Sequence, residues 1–319
     1  MRQTEMETKY TFDDILLAPS FSDIERGDVD ISSMLFKEEL QIPILSSPMD
    51  TISGKNMLIA MVEGGGLGVH HRYCYEHELI TIAGFVNGAI AVSPSMGMDF
   101  INQLFTVDPN LIAVMDVAHG NTRRNLDFCK EMLDLGVNVV SGNIANKEGA
   151  LRYLDIGVTH LRVGIGSGSV CSTRIVTGIG YPQASAIAEI DKLRFNHPEL
   201  RIISDGGHKT TGDIVKALAL GADFVMLGGM FAGTDEAEGG TNYRGMASAE
   251  ALSTRKKEFF VEGIGKNVEP KGSVKTVLKN IREAIEQACY YTGSRNIKEL
   301  RETEIIHLSS GSMRESYIR

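Results

Sequence analysis

Leu135–Ile144 reads LGVNVVSGNI, Ile156–Gly166 reads IGVTHLRVGIG and Leu220–Gly229 reads LGADFVMLGG. All three set a glycine between two apolar residues just ahead of a short hydrophobic run. Glycine ends a helix readily because it takes φ > 0 without a Cβ clash. The runs that follow are too short for helices and too uniformly apolar for strands with one face in water. They read as strands buried on both faces.

The same kind of run recurs on either side: Ile42–Asp50 (IPILSSPMD), Gly66–His71 (GLGVHH), Ile90–Pro94 (IAVSP), Leu111–Gly120 (LIAVMDVAHG) and Ile202–Gly207 (IISDGG). With Asn138–Ile144, His160–Gly166 and Phe224–Gly229 the set comes to eight. Most of them start about 21 to 26 residues apart, the length of one βα unit. Helix-like stretches such as Thr122–Leu135 and Thr211–Leu220 fill the intervals. Eight such units predict a single-domain (βα)8 TIM barrel over residues 1–319, with a doubly wound open sheet as the alternative. Residues 1–41 read as an N-terminal extension across the barrel floor. Two connections are too long for the pattern, Ser167–Tyr181 and Phe231–Lys271. Both leave C-terminal strand ends, where barrel active sites assemble, so 231–271 is expected to be an active-site flap.

Composition narrows the function classes. A charge of −9 argues against nucleic acid as a partner, since such binders show a basic face. No apolar run approaches the length of a membrane span, and the opening MRQTEMETKY has no signal-peptide core, so a cytoplasmic protein is expected. The four cysteines form no CxxC pair. Cys74, Cys129 and Cys289 read as small buried hydrophobes. Cys171 does not: it lies in Gly164–Arg174 (GIGSGSVCSTR), a polar, glycine-rich loop at a strand end, the partly exposed setting of reactive thiols, with Arg174 nearby in sequence. A second constellation is Ser204-Asp205-Gly206-Gly207 with Gly228-Gly229. In barrels the loops after strands seven and eight often bind phosphate through backbone N–H groups, and Asp205 suits a ribose diol.

These motifs, together with SSPMDT (Ser46–Thr51), GIGYPQ (Gly178–Gln183), GDIVKALALGADFVMLGG (Gly212–Gly229), YRGM (Tyr243–Met246) and KGSV (Lys271–Val274), resemble the IMP dehydrogenase / GMP reductase family along nearly the whole chain. The resemblance implies the same barrel and a purine nucleotide substrate, GMP or IMP. It implies Cys171 as the nucleophile at purine C2, with hydride exchanged with a nicotinamide cofactor. By the same resemblance Ser169, Gly207, Gly228, Gly229 and Tyr243 hold the 5′-phosphate and Asp205 the ribose, while Ser47, Met49 and Met246 line the base. Asp116, Ala118 and Gly120 fall where the nicotinamide docks, and His119 reads as a loop residue. The carbonyls of Gly166, Gly168 and Cys171 match a potassium site, although Ser167 stands where the family usually has Pro. A homotetramer is also implied.

The two branches of the family differ in what resolves the covalent adduct. Dehydrogenases activate water with an Arg-Tyr pair on a flap; reductases expel ammonia and move protons through a Thr-Glu pair. The stretch Ala247–Lys271 has no Arg-Tyr dipeptide: Arg255 is followed by Lys256, and Phe259-Phe260 carry no hydroxyl. The Thr-Glu pair is present as Thr173 and Glu262, catalytic with Cys171; both branches place this Glu here, so its presence alone does not discriminate. No regulatory insertion follows the second strand. The sequence therefore points first to NADPH-dependent reductive deamination of GMP to IMP. The alternative is NAD-dependent oxidation of IMP to XMP, and a remoter one is a non-catalytic nucleotide-binding paralogue.

Overall fold

The computed structural model describes residues 7–84, 88–255 and 260–316. Eight parallel strands form one sheet: β1 Ile44–Ser46, β2 Val69–His70, β3 Ala89–Val92, β4 Ile112–Met115, β5 Asn138–Ile144, β6 His160–Val163, β7 Arg201–Asp205 and β8 Phe224–Leu227. Their order is β1-β8-β7-β6-β5-β4-β3-β2. The edges meet, because the Ser46 N–H donates to the Leu67 carbonyl and the Leu67 N–H to that of Ile44, both at 3.0 Å. The sheet is thus a closed (βα)8 barrel, as the spacing of the runs predicts, and the open-sheet alternative falls.

One helix follows each strand: α1 Lys55–Glu63, α2 Glu76–Ala83, α3 Met98–Val107, α4 Arg123–Leu135, α5 Lys147–Asp155, α6 Gln183–Asp191, α7 Thr211–Ala219 and α8 Val274–Thr292. Local signals set their limits. Thr210 accepts the Asp213 N–H and Asp213 accepts that of Thr210, a capping box that starts α7. Gly136, Gly157 and Gly221 all take positive φ where the LGV, IGV and LGA steps anticipate helix ends. Only five residues separate β2 from α2, so no insertion interrupts the barrel there. Among the described residues, no helix is long and apolar enough to cross a membrane.

Strand alternation divides the apolar residues between two cores. One side chain set, including Val69, Ile112, Val140, Phe224 and Met226, packs inside the barrel. Leu35 and Leu40, from a hairpin of Ser33–Leu35 and Glu38–Leu40, join that inner cluster. Leu161, Val163, Ile202 and Val225 belong to the larger cluster beneath the helices. On β6 this leaves His160 and Arg162 facing inward; Phe36 stacks on His160 with ring centroids 3.8 Å apart.

Register places the functional loops at one rim. Val163 pairs with Ser204, Asp205 with Met226, and Leu227 with Ser46. The residues that follow these pairs, Gly164 onward, Gly206 onward, Gly228 onward and Ser47, therefore leave the sheet together. The connection after β6 carries a short helix, Thr173–Thr177. The one after β8 carries a hairpin of Asn242–Arg244 with Gly265–Asn267 and a helix, Ala249–Thr254.

Candidate active site

At this rim lies a cavity of about 580 Å³. It is lined by Cys171, Thr173 and Glu262, by Ser47, Met49, Ser169, Asp205, Gly207, Gly228, Gly229, Tyr243 and Met246, and by Asp116, Ala118, Gly166 and Gly168. Residues scattered over more than two hundred positions of sequence thus share one concavity. Gly120 is the exception. It is buried behind the wall, where a Cβ would lie 2.4 Å from the Gly142 carbonyl, so its lack of a side chain lets the loop after β4 touch strand β5. His119 is exposed and does not line the cavity. Lys256 and Phe259 lie outside the described residues.

The thiol is at the centre of a short relay. Cys171 Sγ donates to Thr173 Oγ1 at 3.1 Å, and that hydroxyl donates to Glu262 Oε2 at 2.7 Å. Two backbone clamps bring residue 262 to residue 171. The Ser172 N–H donates to the Glu262 carbonyl and the Glu262 N–H to the Ala247 carbonyl, each at 3.0 Å. The chain offers a path for a thiol proton to a carboxylate, and the thiolate is the nucleophilic form of a cysteine. All three residues are half-buried, open enough for substrate. Cys129 and Cys289 differ: both are fully buried, and burial pushes their thiols up to about 12 and about 11. The Arg174 guanidinium donates to the Tyr181 carbonyl and fastens the loop.

Asp205 is held by two residues that sequence reading passed over. Arg162, 5% exposed, donates to Asp205 Oδ2 through Nη2 (2.7 Å) and Nε (3.2 Å), and to the Met115 carbonyl through Nη1 (2.6 Å). Asn143 Nδ2 reaches the same oxygen at 2.8 Å. Gly164 makes this approach possible, since a Cβ there would lie 2.0 Å from the Asp205 carbonyl oxygen. Among the described residues, no side chain bonds Oδ1, which suits a diol. Asp205→Ala is expected to weaken nucleotide binding about 10- to 100-fold, the equivalent of about 1.5–3 kcal/mol for a charge-assisted bond. Calorimetry giving wild-type affinity would remove the ribose assignment.

At the Gly-Gly end, backbone and hydroxyl groups approach closely. A Cβ on Gly229 would come within 2.9 Å of Ser169 Oγ, so backbone and hydroxyl close on the same space. Ser169 Oγ donates to Tyr243 Oη at 3.4 Å. Burial raises the Tyr243 phenol, against the Ser169 bond, so it stays protonated and able to donate. Lys271 anchors the turn by donating to the Gly229 and Met230 carbonyls, both at 3.0 Å. In the β6 loop the Gly168 carbonyl already accepts the Cys171 N–H at 3.1 Å, and Ser167 Oγ donates to Gln183 at 3.0 Å. A cation at these carbonyls would share an oxygen that the turn already uses.

Opposite the thiol, Arg72 Nε meets Asp116 Oδ2 at 3.0 Å, and Arg72 Nη2 meets Tyr73 Oη at 2.7 Å. Arg255 stacks on the Tyr73 ring, 3.4 Å from its centroid, and donates to Asp50 at 2.6 Å; Arg244 reaches the same carboxylate at 3.1 Å. Burial works against the charge on Asp50, but the bonds from Arg255 and Arg244 outweigh it and hold the carboxyl below its ordinary range. Arg72 and Tyr73 lie just past the C-terminal end of β2, after His71, the one sequence signal that would have found them.

Fold and cavity together define a barrel oxidoreductase site with a relayed thiol. The chain belongs to the IMP dehydrogenase / GMP reductase family, whose domain model matches residues 9–318. Among its relatives are inosine-5′-monophosphate dehydrogenases of Borreliella burgdorferi, 28% identical over 388 residues and covering 96% of both chains, and of Cryptosporidium parvum, 28% identical over 379 residues and covering 97% of this chain and 94% of the relative. One from Chlorobaculum tepidum is 35% identical over 246 residues, 69% of this chain and 49% of the relative.

Proposed function

We propose that the chain oxidises IMP to XMP through a covalent Cys171–purine adduct, with NAD as acceptor. The relay of Cys171, Thr173 and Glu262 supports the covalent adduct, and the names of the relatives support the oxidative direction. Glu262 takes the thiol proton through Thr173, and the thiolate adds to C2. Asp116 and Ala118, on the cavity lining, would hold a nicotinamide cofactor, which when bound would supply the acceptor for the hydride that C2 must lose. Glu262 then releases the thiol proton to solvent; water adds at C2 and gives a proton to the Thr173–Glu262 pair, which returns it to sulfur as the C–S bond breaks, releasing XMP and the thiol. Asp205 orients the ribose, and the Ser169–Tyr243–Gly229 wall orients the phosphate.

The sequence alone favoured the reductase, because no Arg-Tyr dipeptide stands in 247–271. Two observations put oxidation first. The relatives described above are all named IMP dehydrogenases. An Arg and a Tyr also meet at the cavity wall, Arg255 on Tyr73, although they are far apart in sequence. The reductase remains the second reading, favoured by the missing dipeptide. In that direction the Thr173–Glu262 pair protonates departing ammonia from GMP, and NADPH supplies the hydride. Potassium and a homotetramer stand as implications of the family resemblance.

Offered IMP plus NAD, and separately GMP plus NADPH, the purified protein is expected to raise absorbance at the reduced-nicotinamide band in the first mixture and leave it steady in the second. Consumption of NADPH with GMP alone reverses the assignment. Silence in both mixtures, with nucleotide bound, favours the paralogue.

A further inference from the structure

Among the described residues, one set of three side chains of metal-ligating type comes together: His70, His71 and Cys74, whose ligand atoms all lie within 4.8 Å of one another. It is not part of the thiol centre. It lines a second cavity of about 820 Å³, which shares only Tyr73 with the first. His70 and His71 are 6% and 7% exposed, and the chemistry above uses neither.

Hydrogen bonding orients this set for a ligand. His70 Nδ1 lies 2.7 Å from the His71 carbonyl oxygen, which can only accept, so Nδ1 carries the proton and Nε2 carries the lone pair. A backbone carbonyl holding the far ring nitrogen is the usual support of a metal-binding histidine. His71 keeps its lone pair on Nδ1, where the Tyr73 N–H donates to it at 3.1 Å. The Cys74 sulfur rests 3.8 Å from the same His71 carbonyl. Glu238 enters the cavity where Gly54 has no side chain; a Cβ there would lie 1.9 Å from its Oε2.

We propose that His70, His71 and Cys74 bind zinc in the second cavity, whose lining also carries Glu238. Two imidazoles and a thiolate are a borderline-soft set that suits this ion. Tetrahedral zinc at about 2.0–2.3 Å sets ligand atoms about 3.3–3.8 Å apart, so the set contracts by about 1 Å. Ligation through His71 Nδ1 takes the lone pair that Tyr73 now uses. The bound ion therefore acts on the loop that carries Arg72 to Asp116 and Tyr73 to Arg255, coupling the second cavity to the wall of the first.

The test uses the full chain, stripped with a chelator and titrated with Co²⁺ as a coloured stand-in for zinc. One equivalent is expected to give the visible bands of tetrahedral cobalt and a thiolate-to-cobalt charge-transfer band, both erased by added Zn²⁺. Cys74→Ser should lose the charge-transfer band and bind zinc at least about 100-fold more weakly, since loss even of an outer partner costs about 10–100-fold. Cys171→Ala should keep both. No band, a band that survives Cys74→Ser, or a band that needs Cys171 overturns the site. Should Cys74→Ser fail to fold, His71→Ala takes its place: weakened zinc binding supports the site, and unchanged binding overturns it.

Discussion

Cys171→Ala is expected to lower turnover by on the order of 10⁶-fold, the scale on which loss of a covalent nucleophile acts. Nucleotide affinity should stay within a few-fold of wild type, because the proposed ribose and phosphate groups, Asp205, Ser169, Gly229 and Tyr243, are other residues of the same cavity lining. Rapid quench of wild-type enzyme with labelled nucleotide should trap label on the peptide that contains Cys171, and the variant should trap none. Near-normal turnover in Cys171→Ala would end the covalent mechanism in either direction of reaction. Cys129 and Cys289 cannot substitute, since both are fully buried.

Glu262→Gln should lose about 10²–10⁴-fold in turnover, the usual contribution of general acid–base catalysis. The substitution keeps the side chain's size and its backbone clamps to Ser172 and Ala247, and removes only the proton acceptor. Alkylation of Cys171 by iodoacetamide at fixed pH should slow as well, because the thiol reaches the carboxylate through Thr173 in two bonds, 3.1 and 2.7 Å. Thr173→Val breaks both bonds and should match it. A Glu262→Gln protein that binds nucleotide normally and turns over at the wild-type rate would show that the relay moves no proton. Alkylation unchanged with turnover lost would confine Glu262 to the later step, in which water or ammonia exchanges at C2.

How far sequence reading goes can be seen at β6 and the loop that follows it. The run HLRVGIG announces a strand, and the glycines after it announce a loop that backbone and ligand approach closely. Cys171 stands out there because a thiol among Gly and Ser has no core to fill. All of this is local, and all of it appears in the barrel. Arg162 was in the same run and went unread, because its meaning lies in a carboxylate 43 residues away. The pairing depends on the barrel interior, where strand alternation turns residue 162 inward beneath the end of β7.

The sequence by itself determined the eight βα units, the glycines that end their helices, the family, and the positions of Cys171, Asp205 and the Gly-Gly turns. The units and their glycines follow from periodicity, chain chirality and short-range sterics, which act within a few residues; the family follows from the resemblance of its motifs. Only the tertiary structure decided which groups meet: Glu262 with Thr173 across 89 positions, Asp205 with Arg162 and Asn143, Arg255 with Asp50 and the Tyr73 ring, and the histidines with Cys74 around a second cavity. The physical reason is closure of the sheet. Parallel strands in register deliver every connecting loop to one rim, and which side chains touch across that rim depends on loop lengths and backbone clamps that no local pattern encodes.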